Sequence, residues 1–190
     1  MAKHQNGTRG TMSQTESLQP THTPSAWVER FAGQVPTTSR VLDVACGAGR
    51  HTRMFLDLGH SVTAIDRDLS RLNDIRSKRL LRIEIDLETG ASWPLGGERF
   101  AGVIVTNYLY RPMLKNLVAS VTSAGLLIYE TFAQGNEEFG KPTNPNFLLR
   151  PGELLNLVQG TLQVIAYEDI TVTQPKPARI QRICAYREPT

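Results

Sequence analysis

Residues 41–50 read VLDVACGAGR, an apolar run that ends in two glycines one residue apart and passes directly into a helical pattern. Apolar side chains at nearly every position mark a strand covered on both faces, as in a parallel sheet. Gly47 and Gly49 let the backbone turn sharply and pass close to a ligand, and the helix start offers free N–H groups. A Gly-x-Gly standing alone is more readily a tight strand-to-helix turn than a binding site. Two carboxylates shift that balance. Asp43 falls inside the strand, where a buried charge is costly unless it meets a cation or several N–H donors. Asp66 ends the next apolar run, VTAID, 19 residues after Gly47, at a place where a carboxylate accepts hydrogen bonds from both ribose hydroxyls of a nucleoside. Capping of the following element is the plain alternative for Asp66, and Asp68 or Ser70 would serve that purpose as well.

Outward from this turn, strand and helix patterns alternate. Strands are expected at Arg40–Ala45, Ser61–Asp66, Arg82–Asp86, Gly102–Thr106 and Gly125–Glu130, and helices at about Arg50–Leu58, Ser70–Arg79, Met113–Val121 and Pro151–Gln159. Such alternation predicts an α/β fold with right-handed crossovers. The stretch Leu87–Phe100, with Gly90, Pro94, Gly96 and Gly97, is too short for a full helical crossover. Leu162–Thr173 and Ala178–Arg187 read as strands joined by the short linker Gln174–Pro177, which predicts an antiparallel hairpin. A short helix capped by Ser25 would present Trp27, Val28 and Phe31 on one face. Residues 1–24 are polar and read as a disordered tail, and 25–190 as one domain.

The chain has 190 residues, 40% of them apolar and 21% charged, with a net charge of +3. These values fit a globular domain. No apolar run approaches the ~18 residues of a membrane span, and the N-terminus lacks the apolar core of a secretory signal. A cytoplasmic protein without a membrane partner is the resulting expectation. Cys46 and Cys184 match no metal spacing and read as reduced thiols; no metal site is expected. His51 opens a helix, where a charged imidazole is disfavoured, and His60 reads as structural. Oligomeric state is not legible.

A dinucleotide fingerprint requires a third glycine where this chain has Thr52, and a pyrophosphate gains nothing from Asp43, whereas an ammonium does. S-adenosylmethionine, with an ammonium, a ribose and no phosphate, suits the acidic pattern better. VLDVACGAGRHT followed by VTAIDRD resembles the first two motifs of the class I S-adenosylmethionine-dependent methyltransferases. IEIDLETG and GVIVTNYLYRP resemble the motifs at the ends of the third and fourth strands. The short loops and the closing RIQRICAYR are similar to the small tellurite-resistance-type enzymes of that class. The resemblance implies a Rossmann-like, doubly wound, mostly parallel seven-stranded sheet with an antiparallel C-terminal hairpin strand. It implies that Asp43, Ala45, Gly47 and Gly49 line the methionine part of the cofactor, Asp66 the ribose, and Asp86 with Leu87 the adenine. Cys46 would touch the cofactor through its backbone and Arg67 would lie over the adenine, though a solvated arginine is the plainer reading of the latter.

Ligands of such sheets bind beyond the carboxyl ends of the strands. Asn107, Tyr108, Tyr110 and Arg111 follow the fourth strand and are candidates to orient an acceptor, Asn107 and Tyr108 as candidate catalytic residues and Asn107 also as a candidate cofactor contact. Glu130 closes the fifth strand and is the candidate general base, with a charge pair to Arg111, Arg150 or Lys141 as its structural alternative. Six of the thirteen aromatics fall between Tyr108 and Phe147, although Tyr129, inside a strand, reads as plain core. The loop from Phe132 to Leu149 is expected to act as a lid, with Asn136, Phe139 and Gly140 near the cleft. Methyl transfer to a small-molecule acceptor is the leading functional reading. A non-catalytic cofactor-binding or regulatory module and a nicotinamide-dependent oxidoreductase are the alternatives, and a nucleic-acid partner guided by the basic tail also stands open.

Overall fold

The computed structural model describes residues 23–189. The expected tail, through residue 22 and including Lys3 and Arg9, lies outside the described residues. Seven strands form one sheet: β1 (Arg40–Val44), β2 (Ser61–Asp66), β3 (Leu80–Glu84), β4 (Phe100–Thr106), β5 (Val121–Phe132), β6 (Gln163–Val172) and β7 (Ala178–Tyr186). Their order is β3-β2-β1-β4-β5-β7-β6. All neighbours run parallel except β7, which pairs antiparallel with both β5 and β6. The expected fold class and C-terminal hairpin are therefore observed.

The sheet is covered on both faces, as its apolar strands require. On one face Leu42, Val103, Val105, Leu127 and Tyr129 meet α3 (Leu114–Ala119), α4 (Glu153–Val158) and the buried Leu87, Trp93 and Leu95 of the irregular 87–100 crossover. On the other, Val41, Ala64, Ile104 and Ile128 meet α1 (Ala26–Ala32) and α2 (Arg50–Asp57). Ser25 caps α1 as expected, its hydroxyl accepting from the Trp27 N–H at 3.1 Å. Trp27 is fastened to the sheet by its indole N–H, which donates to the Ile183 carbonyl, and the Arg182 guanidinium lies 4.6 Å from its ring centroid.

The helix expected over Ser70–Arg79 does not form; a single 3-10 turn, Ser70–Leu72, takes its place. Asp68 accepts from the Ser70 N–H and Ser77 from the Arg79 N–H, local bonds that compete with helical ones. Arg82, from β3, donates to the Leu72 and Ile75 carbonyls at 3.0 and 2.6 Å, satisfying acceptors that a longer helix would have used itself. Without a covering helix β3 is only half-buried, with Leu81 exposed, and it spans Leu80–Glu84 rather than the expected Arg82–Asp86. Strand β5 begins earlier than expected, with a register shift against β4 between Phe100 and Gly102.

Gly125 sits where β5 recovers its pairing with β4. A Cβ there would lie 2.9 Å from the Thr122 carbonyl oxygen and 3.0 Å from that of Phe100, both backbone atoms that cannot swing aside. Gly125→Ala is therefore expected to destabilise the fold by about 1–3 kcal/mol, the usual cost of overpacking, read as a lower urea midpoint at unchanged slope.

Candidate functional site

The turn after β1 is built from left-handed residues. Ala45, Gly47 and Gly49 have φ of 51°, 53° and 73°, a region that costs residues bearing a Cβ roughly 1–2 kcal/mol. A Cβ on Gly47 would meet nothing within 4 Å, so open space faces the turn, whereas one on Gly49 would lie 3.2 Å from the buried Leu72. The turn is braced from β2: the Gly47 N–H donates to Asp66 Oδ2 at 2.8 Å, and the other carboxylate oxygen accepts from the Asp68 N–H.

Asp43 lies beneath the turn, 2% exposed, buried as its place inside the strand led one to expect. The Thr52 hydroxyl donates to its Oδ2 at 2.6 Å, tying β1 to the first turn of α2. Burial raises its pKa from 3.8 to about 6, against the lowering effect of Thr52 and Arg50. Cys46 is buried beside it; desolvation, reinforced by Asp43 and Asp66, pushes its thiol well above the usual range, leaving only its backbone for a ligand. His51 accepts from the Ser25 N–H through Nε2 at 3.1 Å, and burial pushes its pKa down to about 3, so it is a neutral structural acceptor. His60 is likewise buried, beside the Ser39 hydroxyl.

Two clefts open at the carboxyl edge of the sheet. The first, about 410 Å³, is lined by Ala45, Asp66, Arg67, Ile85, Asp86 and Leu87. The second, about 570 Å³, is lined by Asn107, Leu109, Thr131, Phe132 and the loop segment Lys141–Asn144. Glu88, Tyr108 and Phe147 line both and form their shared wall. Asn107, at φ 55°, breaks the line of β4 just before Tyr108. The Tyr129 hydroxyl donates to the Tyr108 carbonyl at 2.8 Å, which confirms Tyr129 as core. The hydroxyl of Tyr108 is itself buried without a partner, and desolvation raises its pKa, with Glu88 and Asp86 adding to the effect.

Glu130, the expected base, lines neither cleft. Its Oε1 accepts from the Ser25 hydroxyl at 2.7 Å and its Oε2 from Arg182 at 3.2 Å. Arg182 also pairs with Glu168. None of the expected partners of Glu130 is the real one. Arg111 instead binds Glu153 through Nε and Nη2, at 2.7 and 2.9 Å. Arg111 also donates to the Asn146 and Leu148 carbonyls at 2.8 and 2.9 Å, clamping the backbone on either side of Phe147.

The loop after β5 presents different residues to the cleft than expected. Asn136 is 1% exposed; its amide donates to the Pro142 carbonyl and its oxygen accepts from the Arg179 N–H, so it staples the loop internally. Phe139 and Gly140 line neither cleft, and Phe147 is the aromatic that does. The sequence offers no signal that separates these two phenylalanines, both of which follow short polar runs. Glu88 was missed because its place depends on the irregular path after β3.

Residues 41–124 match the family described as a methyltransferase domain. No curated protein matches the sequence. Among solved structures, TehB from Haemophilus influenzae superposes with a TM-score of 0.67 at 16% identity, over 85% of this chain and 61% of that one. The chain thus spans about three-fifths of that protein. A 1,6-didemethyltoxoflavin-N1-methyltransferase from Burkholderia thailandensis gives 0.63 at 17% identity, covering 85% and 76%. A TehB-like S-adenosylmethionine-dependent methyltransferase from Corynebacterium glutamicum gives 0.60 at 15%, covering 85% and 87%. The chain therefore matches a methyltransferase-domain model over residues 41–124 and shares the fold of these solved structures.

The buried Asp43 makes a test available without any ligand. Because its folded pKa lies above 3.8, the folded state holds the extra proton. Stability from this group is therefore greatest at low pH, and is lost as pH rises from about 4 through about 6. In Asp43→Asn that loss is absent. Measured by urea unfolding at pH 4.5 and 7.5, the stability difference between variant and parent should move in the variant's favour by about 2 kcal/mol at the higher pH.

Proposed function

We propose that this chain binds S-adenosylmethionine in the first cleft and transfers its methyl group to a small acceptor held in the second. The observation that carries the reading is Asp66, a carboxylate braced by the Gly47 N–H at the lip of a cleft also lined by Asp86 and Leu87. A carboxylate accepts up to about four hydrogen bonds, so Asp66 keeps capacity for both ribose hydroxyls. Asp86 is placed to accept from the adenine amino group, Leu87 gives an apolar wall, and Arg67 closes the outer side. The open space over Gly47 and the negative charge of Asp43 below it suit the methionine end.

When bound, the cofactor supplies an electrophilic methyl on a sulfonium; the acceptor's lone pair takes the methyl and the S–C bonding pair stays on sulfur. The chain's contribution is alignment, which supplies much of the acceleration of an in-line displacement. Asn107, in the second cleft, and Tyr108, at the shared wall, orient the acceptor. Glu88 is the carboxylate at that wall and takes over from Glu130 the role of proton acceptor when the acceptor atom arrives protonated. A nicotinamide dinucleotide fits less well, because its pyrophosphate would sit on the glycine turn above the Asp43 carboxylate, and Thr52 stands where the fingerprint has its third glycine.

The Burkholderia neighbour is a methyltransferase with a small bound acceptor and S-adenosylhomocysteine, which supports a small acceptor here. Among the described residues no helix is long and apolar enough to cross a membrane, and we read the protein as acting in the cytoplasm.

Calorimetric titration with S-adenosylmethionine and S-adenosylhomocysteine tests the proposal, and absence of binding of either at millimolar levels would sink it. Asp66→Ala should weaken both by about 1.5–3 kcal/mol, the range for charge-assisted hydrogen bonds. Tight cofactor binding with no turnover over a broad acceptor panel would instead mark a binding module.

A further inference from the structure

We infer that the second cleft is built for a small, flat aromatic anion, with the anionic group held by Lys141 and the ring laid against Phe147. The inference rests on the methyl-transfer reading and names the class of its acceptor.

Charge sets the polarity of the cleft. Lys141 is the one cation among the residues lining it, and no ion pair engages Lys141 among the described residues. Arg111, by contrast, is saturated by Glu153 and two carbonyls. The one acid lining the second cleft, Glu88, sits at the wall shared with the first, where Asp66 and Asp86 add further negative charge. The field therefore runs from negative at the cofactor side to positive at Lys141. A cationic donor belongs at the first end and an anionic substituent at the second, with the atom to be methylated directed towards Glu88, Tyr108 and Phe147.

Shape sets flatness. Phe147 is 43% exposed, yet the peptide groups on both sides of it are fixed by Arg111. An exposed ring on a clamped backbone is pre-organised and loses little freedom on binding. Tyr108, Phe132 and Pro142 supply further flat surface, and Asn107, Thr131 and Asn144 offer polar groups to the edge of a ring. At about 570 Å³ the cleft falls within the ordinary range for small-molecule sites.

The probes are 2-naphthoate and its neutral counterpart 2-naphthamide, titrated by calorimetry into the full chain with and without saturating S-adenosylhomocysteine. Naphthoate is expected to bind at least about tenfold more tightly than naphthamide, and Lys141→Met to erase that difference while leaving S-adenosylhomocysteine binding unchanged. Phe147→Ala should weaken both probes. Equal binding of the two probes, no binding of naphthoate, or an unaltered preference in Lys141→Met would overturn the inference. The two readings fail separately: loss of the methyl-transfer proposal appears as no S-adenosylhomocysteine binding, whereas loss of this one appears as cofactor binding with no anion preference. Lys141 is an exposed loop residue, so the variant keeps the fold in which the comparison is made.

Discussion

Between Val44 and Arg50 the backbone must pass from a buried strand into a helix on one face of the sheet. It does so through Ala45, Gly47 and Gly49, all left-handed. Such a path is unfavourable in isolation and persists only when its surroundings fix it. Here two carboxylates provide the fixing from different directions. Asp43 holds the first turn of α2 from below through the Thr52 hydroxyl, and Asp66 holds the Gly47 N–H from the neighbouring strand. The first cleft exists because of this reversal: it is the space left beside a turn whose side chains are small or absent. The cost is visible in Asp43, whose burial raises its pKa to about 6. A cationic ligand group above the turn would offset that cost, which links the electrostatics of the empty turn to the kind of ligand it suits.

Two arginines organise what lies around the turn. On the α1 face, Arg182 joins Glu130, Glu168 and the Trp27 ring, and Ser25 completes the set by bonding Glu130 while its N–H bonds His51. The start of α1, the start of α2, the end of β5 and the middles of β6 and β7 are thus held in one polar network. On the opposite face, Arg111 and Glu153 join the segment after β4 to the start of α4 and to the loop bearing Phe147. Burial alone would raise the pKa of Glu153, but its hydrogen bonds with Arg111 and the Arg150 N–H hold it below the usual value, as expected of a charge kept by its partners. In both networks a conformationally costly junction is stabilised by charge that hydrogen bonds satisfy.

The sheet was legible in the sequence because strands such as VLDVA and VTAI are buried on both faces and carry little else. The hairpin was legible from the length of its linker, and the glycine turn from its spacing. What the sequence could not show were outcomes decided by distant partners. The 70–79 segment has a helical spacing of apolar residues, but Arg82 from the next strand claims its carbonyls. Glu130 looks like a free carboxylate at a strand end, yet its partners are 105 residues before it and 52 after it. Asn136 looks like a loop residue open to a ligand, while its amide is consumed within the loop and by β7. Asp43 was legible as a buried carboxylate in the strand before the turn, whereas its partner, the Thr52 side-chain hydroxyl, was not.

The same contrast shows how, on the proposed reading, cofactor and acceptor requirements would separate on this fold. Apart from the shared Tyr108 and Phe147, residues facing the first cleft lie at the ends of β1 and β2 and just after β3, where any shift is opposed by the packed sheet. The second cleft draws on a loop that is tethered at both ends and exposed between them. Asn136 and Arg111 hold the ends, while Lys141, Thr143 and Asn144 are exposed and contribute nothing to the two cores. On that reading, substitutions at Lys141 and Thr143 would alter what the cleft recognises at little cost in stability, since surface changes away from caps and networks usually fall within about 0.5 kcal/mol, whereas Asn144 caps the turn that bears Phe147. A change at Arg111 or Glu153 acts differently: it releases the backbone under Phe147 and leaves a partly buried charge without its partner. On the proposed reading, acceptor chemistry is therefore carried by the residues that the fold can most easily change, on a platform held by those it can least.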